Sequence, residues 1–369
     1  MLNVDLIGQN GQLQGEVASY AMSAGRLDPN SLRPFVGSDN KTYITVHTGG
    51  SKTDPQNYKA IPIMANGTLR RDEWKQLDDV ILKAAEYRLG GVDDLVSAGL
   101  TYQLGNAMGT TVLEWHDISS ALTADLTMDG VTRVQNNRPV YTHNYMPIPI
   151  LHVDYEINAR ELATSRNMGN PIDTTMAERA VRTIKERLEA MLFTDTTYQF
   201  GEKDSRNQNA IYSYINHPDR NLVSLTIPWN DSSVTGKDIV DQIIGWKQVG
   251  IDALHYGPWQ LYIPTAYETK LDEDYTGSNP DTNAAVTIRQ RIMNISNIKG
   301  IKVIDTLEAD NVLMVQMTSD VVRLVQGMGL TNVEWGTEGN FITKFKVLTI
   351  QVPQIRSDAN RRSGIIHIS

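Results

Sequence analysis

The stretch PIDTTMAERAVRTIKERLEAMLF, residues 171–193, decides how the rest of the chain is interpreted. Apolar residues recur in it at three- and four-residue steps, which places them on one helical face: Ala177, Val181, Ile184, Leu188, Met191 and Leu192. Charged residues fall on the other faces: Arg179, Arg182, Lys185, Glu186 and Glu189. We predict a helix roughly 30 Å long, begun by a capping box between Thr175 and Glu178.

The segment before this helix has the two-residue period of β-strands. In residues 110–158, apolar and polar side chains alternate, and Asp129-Gly130 is a type I′ turn signal. The pattern predicts a long two-stranded arm whose tip, residues 121–135, is its own hairpin. Because an isolated two-stranded ribbon is only marginally stable in water, the arm must lie on the rest of the chain or on a neighbouring copy. Exposed aromatic residues such as Trp115 favour a neighbouring copy.

The flanking segments indicate a polar N-terminal region and an α/β body. Residues 1–66 are rich in Gly, Asn, Asp and Ser, which predicts an extended arm with little core of its own. A helix is expected over residues 71–89, with Gly90-Gly91 as its stop signal. Helices and strands alternate over residues 211–335 and predict a compact mixed sheet. A long strand is expected at residues 341–352 and a short one at residues 364–368.

Composition excludes several classes of protein. The 369 residues include no cysteine, which excludes disulfides, thiolate catalysis and cysteine-ligated metal. The formal net charge is −9, and the basic residues are scattered apart from Arg356, Arg361 and Arg362. This distribution argues against tight, sequence-specific binding of nucleic acid and leaves only weak, non-specific contact. No apolar run has the length of a membrane span, and no signal-peptide pattern is visible, so no membrane partner is expected.

The common motifs of catalysis are missing from the sequence. It contains no HExxH pair, no GxSxG elbow and no GxxxxGK[ST] phosphate loop. His152-Val-Asp154 and Asp272-Glu273-Asp274 could bind a metal ion, but a solvated surface is the favoured interpretation of both. We therefore predict that the protein is not an enzyme and has no cofactor or metal site.

Two blocks carry a resemblance to a known family. They are LRRDEWKQLDDVILKAAEYRLGGVDDLV, residues 69–96, and PIPILHVDYEINARELATSRNMGNPIDTTMAERAVRTIKERLEAMLF, residues 147–193. Together with the order of elements, they resemble the HK97-type shell protein fold of tailed-phage major capsid proteins and encapsulin nanocompartments. The block at residues 69–96 resembles the tryptophan-containing helix that precedes the extended loop of encapsulins. The block at residues 147–193 is similar to the end of a strand followed by the alanine-rich spine helix of that fold.

The resemblance implies an α+β chain with an HK97-like capsid fold. It divides the chain into an N-terminal arm (1–66), a helical segment of the peripheral domain (67–109), an extended β-hairpin loop (110–158), the spine helix of the peripheral domain (159–210), an α/β axial domain (211–335) and C-terminal strands of the peripheral domain (336–369). The chain is longer than a typical encapsulin, which favours a phage major capsid protein that self-assembles into an icosahedral shell around a genome. The alternatives are an encapsulin shell protein and an α/β enzyme in which the hairpin is a lid.

A capsid protein implies particular partners and a location. The partners are copies of itself in pentamers and hexamers, packaged DNA held by weak contacts, a separate scaffolding protein, a portal and a decoration protein. The location is the virion, after assembly in the host cytoplasm. Inter-subunit contacts are predicted on the arm and in the C-terminal turn: Trp115, Leu122, Asp125, Leu126, Asp129, Arg133, Arg138, Arg356, Arg361 and Arg362. For the last three, a solvated turn is the alternative.

Overall fold

The computed structural model of the chain describes residues 33–47, 54–63, 69–85, 90–118, 128, 141–168, 174–195, 198–201, 210–275, 286–338 and 341–369. The helices in these ranges are α1 (Arg71–Ala85), α2 (Gly90–Ser97), α3 (Ala159–Met168), α4 (Thr175–Phe193), α5 (Gly236–Asp252), α6 (Glu268–Leu271) and α7 (Ile288–Met293). Short 3-10 turns lie at Pro55–Asn57 and Thr265–Tyr267, and the short strands β8 (Tyr198–Gln199) and β9 (Ala210–Ile211) form an antiparallel pair.

Helix α4 is the predicted spine helix, and its apolar face is confirmed. All six residues assigned to that face are buried. The predicted capping box is wrong, because Thr175 is already the first helical residue and the N-cap is Thr174, whose side chain makes no capping hydrogen bond. Lys185 and Glu189 were expected on solvated faces, yet they are only 4% and 7% exposed. A second face of the helix is therefore covered.

A four-stranded sheet packs against this helix. Its strand order is β4 (Thr101–Gln103), β14 (Val322–Glu338), β15 (Ile342–Ile355) and β7 (Leu151–Asn158). Strand β7 was predicted as part of the extended loop 110–158, but it pairs antiparallel with β15 and places Tyr155 in the core. The rings of Tyr155 and Phe345 stack at 5.3 Å. The alternating pattern over β7 thus marks a strand of the body rather than of the arm.

A five-stranded sheet forms the second body. Its order is β10 (Asn221–Val223), β16 (Ile365–Ile368), β13 (Val312–Gln316), β11 (Trp259–Pro264) and β12 (Ile298–Ile304). Successive side chains point to opposite faces of a strand. Tyr262 accordingly joins the core around α4, whereas Leu261 and Ile263 join a second core that includes residues of α5 and α7. The mixed sheet predicted from residues 211–335 is present.

The domain boundaries stay a prediction, but two strands lie in other sheets than their ranges implied. Strand β14 falls mostly within residues 211–335 yet belongs to the four-stranded sheet, and β16 falls within residues 336–369 yet belongs to the five-stranded one. Hydrogen bonding decides this, since β16 pairs with both β10 and β13. The chain therefore passes from the second body to the first and back again.

The N-terminal region differs from the predicted extended arm where it is described. The strands β1 (Phe35–Val36), β2 (Thr42–His47) and β3 (Tyr58–Ile63) form an antiparallel sheet. The indole nitrogen of Trp74, on α1, donates to the Pro34 carbonyl at 2.9 Å, which ties this segment to the helix. Gly90 and Gly91 are the first two residues of helix α2, and residues 86–89, where the helix predicted over 71–89 would end, lie outside the described residues.

Candidate functional site

The predicted arm begins as a two-stranded ribbon. Strands β5 (Val112–Ile118) and β6 (Tyr141–Pro147) are antiparallel, and in the described part of the chain they pair only with each other. The paired base of the arm is thereby confirmed. The contact residues predicted toward its tip lie outside the described residues: Leu122, Asp125, Leu126, Asp129, Arg133 and Arg138.

The root of the ribbon is buried and its outer end is exposed. Leu113 and Met146 face each other across the two strands, and both are buried. Trp115, predicted as an inter-subunit contact, is half-buried and packs against the chain's own core. Further out, the Tyr141 side chain is 63% exposed. Within the described residues, the ribbon is therefore anchored by apolar contacts at its root, and a contact of Trp115 with another copy stays a prediction.

A carboxylate connects the root to the end of β15. Asp117 of β5 accepts a hydrogen bond from Asn144 of β6, and it lies 3.7 Å from Nη2 of Arg356. Burial raises the pKa of Asp117, and the guanidinium of Arg356 opposes that effect. Because Arg356 directly follows β15, this ion pair connects strand β5 of the ribbon to the end of a strand of the four-stranded sheet.

The other two predicted arginines lie in the same turn. Nε of Arg361 is 3.3 Å from Oδ1 of Asp219, whose other oxygen accepts the Ser357 hydroxyl at 2.7 Å. The backbone N–H of Arg362 donates to Oδ1 of Asp358 at 2.7 Å. Arg356 and Arg361 thus form ion pairs within their own chain, and inter-subunit pairing of the three arginines stays a prediction.

The root and this turn enclose a small cleft. Its volume is about 90 Å³, and Trp115, Arg356 and Arg361 are among its lining residues. The structure therefore brings together three predicted site residues from distant parts of the sequence. The proximity of these three residues could not be predicted from the sequence. The carboxylates that pair with the arginines, Asp117 and Asp219, belong to a strand and a loop and form no recognisable motif.

An apolar groove lies beside the spine helix. Its volume is about 600 Å³, and Ile150 and Tyr198 are exposed on its walls. Met191 of α4 and Leu348 of β15 form part of the lining, and Arg187 adds a charge. Exposed apolar surface of this kind is typical of protein–protein contact.

Helix α5 ends in an unusual way. The backbone N–H of His255 donates to the Gly250 carbonyl, and that of Leu254 to the Ile251 carbonyl, each at 2.9 Å, which is a Schellman motif. The position after the C-cap is left-handed, with φ +63° at Leu254, where glycine is usual. Helix α2 ends in the same motif with Gly99 at that position. The Leu254 side chain is 57% exposed, and backbone outliers of this kind cluster at functional positions.

Other exposed apolar residues accompany Leu254. Nδ2 of Asn297 donates to the Tyr256 carbonyl at 3.0 Å, and Nζ of Lys247 to the Ser296 carbonyl at 2.8 Å. These bonds hold α5 and the turn after it against the turn that follows α7. We define the exposed apolar residues of these segments as the axial patch: Ile244, Leu254, Tyr256 and Met293. This patch was not predicted from the sequence.

The two candidate metal motifs are surface ion pairs. Nδ1 of His152 lies 3.2 Å from Asp154, and Nζ of Lys346 lies 3.4 Å from the same carboxylate. Asp272 pairs with Nε of Arg289 at 2.9 Å. Across the described ranges, no group of three or more His, Asp or Glu residues is arranged to hold a metal ion. In the same ranges no helix combines the length and the apolar character needed to cross a bilayer.

Solved structures similar to this chain include particles and phage proteins. A virus-like particle from Pyrococcus furiosus is 17% identical, with a TM-score of 0.55 over 80% of this chain and 99% of that one. The capsid of Myoviridae phage XM1 is 10% identical, with a TM-score of 0.51 over 74% and 90% of the two chains. A structure from Mycobacterium phage Adephagia is 9% identical, with a TM-score of 0.50 over 75% and 89%. At these identities the likeness shows the fold, which is the predicted α+β HK97 type.

Sequence comparison adds the family. No curated protein matches the chain. A family model described as a family of unknown function matches residues 63–368, which include the spine helix, the ribbon and both large sheets. The chain therefore belongs to the family of unknown function DUF6260.

Proposed function

We propose that this protein is a shell subunit, a major capsid protein that self-assembles into an icosahedral container around a phage genome. The observation that carries the proposal is the ribbon, which leaves an HK97-type body and is anchored to it at the root. A two-stranded ribbon is marginally stable alone, so a neighbouring copy is the surface that completes it. Closed symmetry then multiplies a modest contact into a stable container.

Two surfaces are proposed to carry the contacts between copies. In the sequence of the arm tip, four apolar residues alternate with polar ones: Leu122, Ala124, Leu126 and Met128. The groove beside the spine helix offers a complementary apolar surface. Four such side chains buried at about 25 cal/mol per Å² contribute a few kcal/mol before ordering costs. The axial patch is the second surface. Arg356 holds the arm root in position through its ion pair with Asp117. Trp115, Arg356, Arg361 and Arg362 are proposed as further contacts between copies.

The proposed location and partners follow from this role. The shell forms in the host cytoplasm from pentamers and hexamers and becomes the capsid of the virion. A separate scaffolding protein, a portal and a decoration protein are its protein partners, and packaged DNA touches it by weak, non-specific contacts. The protein performs no catalysis in this role.

An encapsulin-type compartment is the second candidate. It is favoured by the likeness to the Pyrococcus furiosus virus-like particle, which extends over 99% of that chain. The two candidates share the shell and differ in its contents. Phage capsids enclose DNA, whereas compartments enclose a protein cargo.

Size measurement and electron microscopy test the shell itself. The purified chain is expected to elute far above its monomer mass of 41.2 kDa, and the large fraction is expected to show closed particles by electron microscopy. A monomer or small oligomer at every protein concentration would contradict the proposal. Nucleic acid in particles purified from the native host supports the capsid, whereas a single co-purifying protein supports the compartment.

Replacing Leu254 by glycine separates stability from assembly. Glycine tolerates the left-handed conformation, so we expect the subunit to gain about 0.5–1 kcal/mol in free energy of unfolding. Particle formation is expected to require a higher protein concentration, because the exposed side chain is lost from the axial patch. Urea unfolding of dissociated subunits and light scattering during assembly measure the two effects.

The matched control is Val96→Ala, which trims an exposed apolar side chain on α2, outside the axial patch. This variant is expected to assemble like the wild type. If Leu254→Gly assembled as readily as the control, Leu254 would not be a contact between copies.

A further inference from the structure

Glu189 lies where three elements of the fold meet. It belongs to the C-terminal half of α4, and the first turn of α2 covers it from one side. The approach is close, since a Cβ atom on Gly91 would lie 2.3 Å from the ring of Phe193. That ring in turn contacts Tyr262 of β11, with centroids 4.9 Å apart. A carboxyl group thus sits between the spine helix, α2 and the five-stranded sheet.

Only one of the two oxygens of the Glu189 carboxyl has a hydrogen-bond partner among the described residues. Its Oε1 accepts a hydrogen bond from the Gly91 N–H at 3.3 Å. Its Oε2 is buried and has no hydrogen-bond partner among the described residues, and the same holds for the buried hydroxyl of Tyr214. A buried polar atom without a partner is costly, and a buried charge without one is far more so. The geometry therefore favours the neutral carboxyl.

The two acidic residues nearest to Glu189 also favour its neutral form. Asp93 and Asp94 of α2 face Glu189 and repel its ionised form. Lys302 of β12 offers a positive charge, but its Nζ lies 2.5 Å from Oδ1 of Asp94. The other oxygen of Asp94 accepts the Tyr262 hydroxyl at 3.1 Å. Lys185 lies one turn earlier on the same helix and is itself buried.

Burial raises the pKa of Glu189 from the ordinary 4.5 to about 7, and the amides of Gly91 and Val92 oppose this effect only in part. In the folded protein the group therefore binds its proton more tightly than in a state where it is exposed. By linkage, the proton on Glu189 stabilises the arrangement in which the first turn of α2 covers this residue. The stabilisation is complete below pH 4.5 and is lost as the pH rises to about 7.

We propose that Glu189 is a proton-operated latch, in which the neutral carboxyl keeps the first turn of α2 seated on the spine helix and the carboxylate releases it. Because Asp94 of α2 holds Lys302 and Tyr262, release of this turn also loosens the link between the spine helix and the five-stranded sheet. The latch goes beyond the proposed function, and it operates in the chain whether or not a shell forms.

Hydrogen–deuterium exchange on the full-length chain tests the latch. The amides of α2 are followed over a pH series and corrected for intrinsic exchange, with those of α5 as internal reference. The opening constant of α2 is expected to rise about tenfold per pH unit between 4.5 and about 7, then to level off. In Glu189→Gln, which is neutral at every pH, the opening constant is expected to stay at the low-pH value of the wild type.

Two further variants sharpen the test. Glu178→Gln removes an exposed carboxylate from the same helix and is expected to follow the wild-type curve. Asp93→Asn removes a like charge near Glu189 and is expected to move the midpoint to lower pH while the protein stays folded. A wild-type α2 whose exchange follows the α5 reference at every pH would overturn the proposal. So would a Glu189→Gln protein that retains the wild-type pH dependence, or a midpoint that Asp93→Asn leaves unchanged.

Discussion

Replacing Leu188 by aspartate is expected to abolish the soluble, folded subunit. Leu188 is 2% exposed and lies in the middle of the apolar face of α4. Losing a buried leucine costs about 2–5 kcal/mol, and a carboxylate in its place adds the cost of a buried, unpaired charge. The total approaches the whole free energy of unfolding of an ordinary domain, roughly 5–15 kcal/mol. Soluble yield and the urea midpoint measure the effect.

Thr183→Asp is the control for this variant. Thr183 is exposed on the same helix, so the substitution introduces the same charge in contact with water. It is expected to leave the yield and the urea midpoint close to the wild type. Recovery of folded Leu188→Asp at wild-type yield would mean that the buried face of the spine helix is assigned incorrectly.

Removing the arm tip is expected to abolish closed particles without unfolding the subunit. The variant lacks residues 121–135 and joins the remaining ends by a short Gly-Ser link. Its thermal unfolding at low concentration is expected to change little, because the ribbon is anchored at its root by Leu113 and Met146. The lost contact is worth only a few kcal/mol per copy, but a closed shell repeats it in every subunit. Circular dichroism follows the unfolding, and electron microscopy follows the particles.

A second variant controls for chain length in this experiment. In it, residues 121–135 are replaced by an equally long Gly-Ser segment, which keeps the reach of the arm but removes its side chains. Both variants are expected to fail in assembly. Normal particles from either would show that the tip is not an assembly contact, and a variant that fails to fold would place the tip in the chain's own core.

Local periodicity explains what could be predicted from the sequence. The apolar face of α4 and the paired base of the arm follow from the 3.6- and two-residue patterns of nearby residues, and both were predicted correctly. Burial of Glu189 could not be predicted in this way, because its cover is α2, almost a hundred residues earlier in the chain. The same reason applies to Arg356 and Arg361, whose carboxylate partners come from distant elements.

Strand β14 shows a different limit of the sequence pattern. Its pairing with β15 shifts register between Gln326 and Met328 and again between Met328 and Thr331. Glycines in strand interiors often mark such bulges and interrupt the alternation by which strands are recognised. Gly327 is needed there for space, since a Cβ atom would lie 2.6 Å from Cβ of Ala107. Gly327 and Gly329 thus mark an irregular strand.

The position of β16 affects when a newly made chain can fold. This strand lies between β10 and β13, and Asn221 of β10 pairs in register with Ile366. The ribosome adds about 5–20 residues per second, so β10 waits roughly 7–30 s for its partner to be synthesised. Until residue 368 has emerged, the five-stranded sheet lacks an inner strand. We therefore expect the five-stranded sheet of a nascent chain to stay incomplete until β16 has left the ribosome. Nascent chains crowded on one messenger RNA would then be unable to associate prematurely through this sheet.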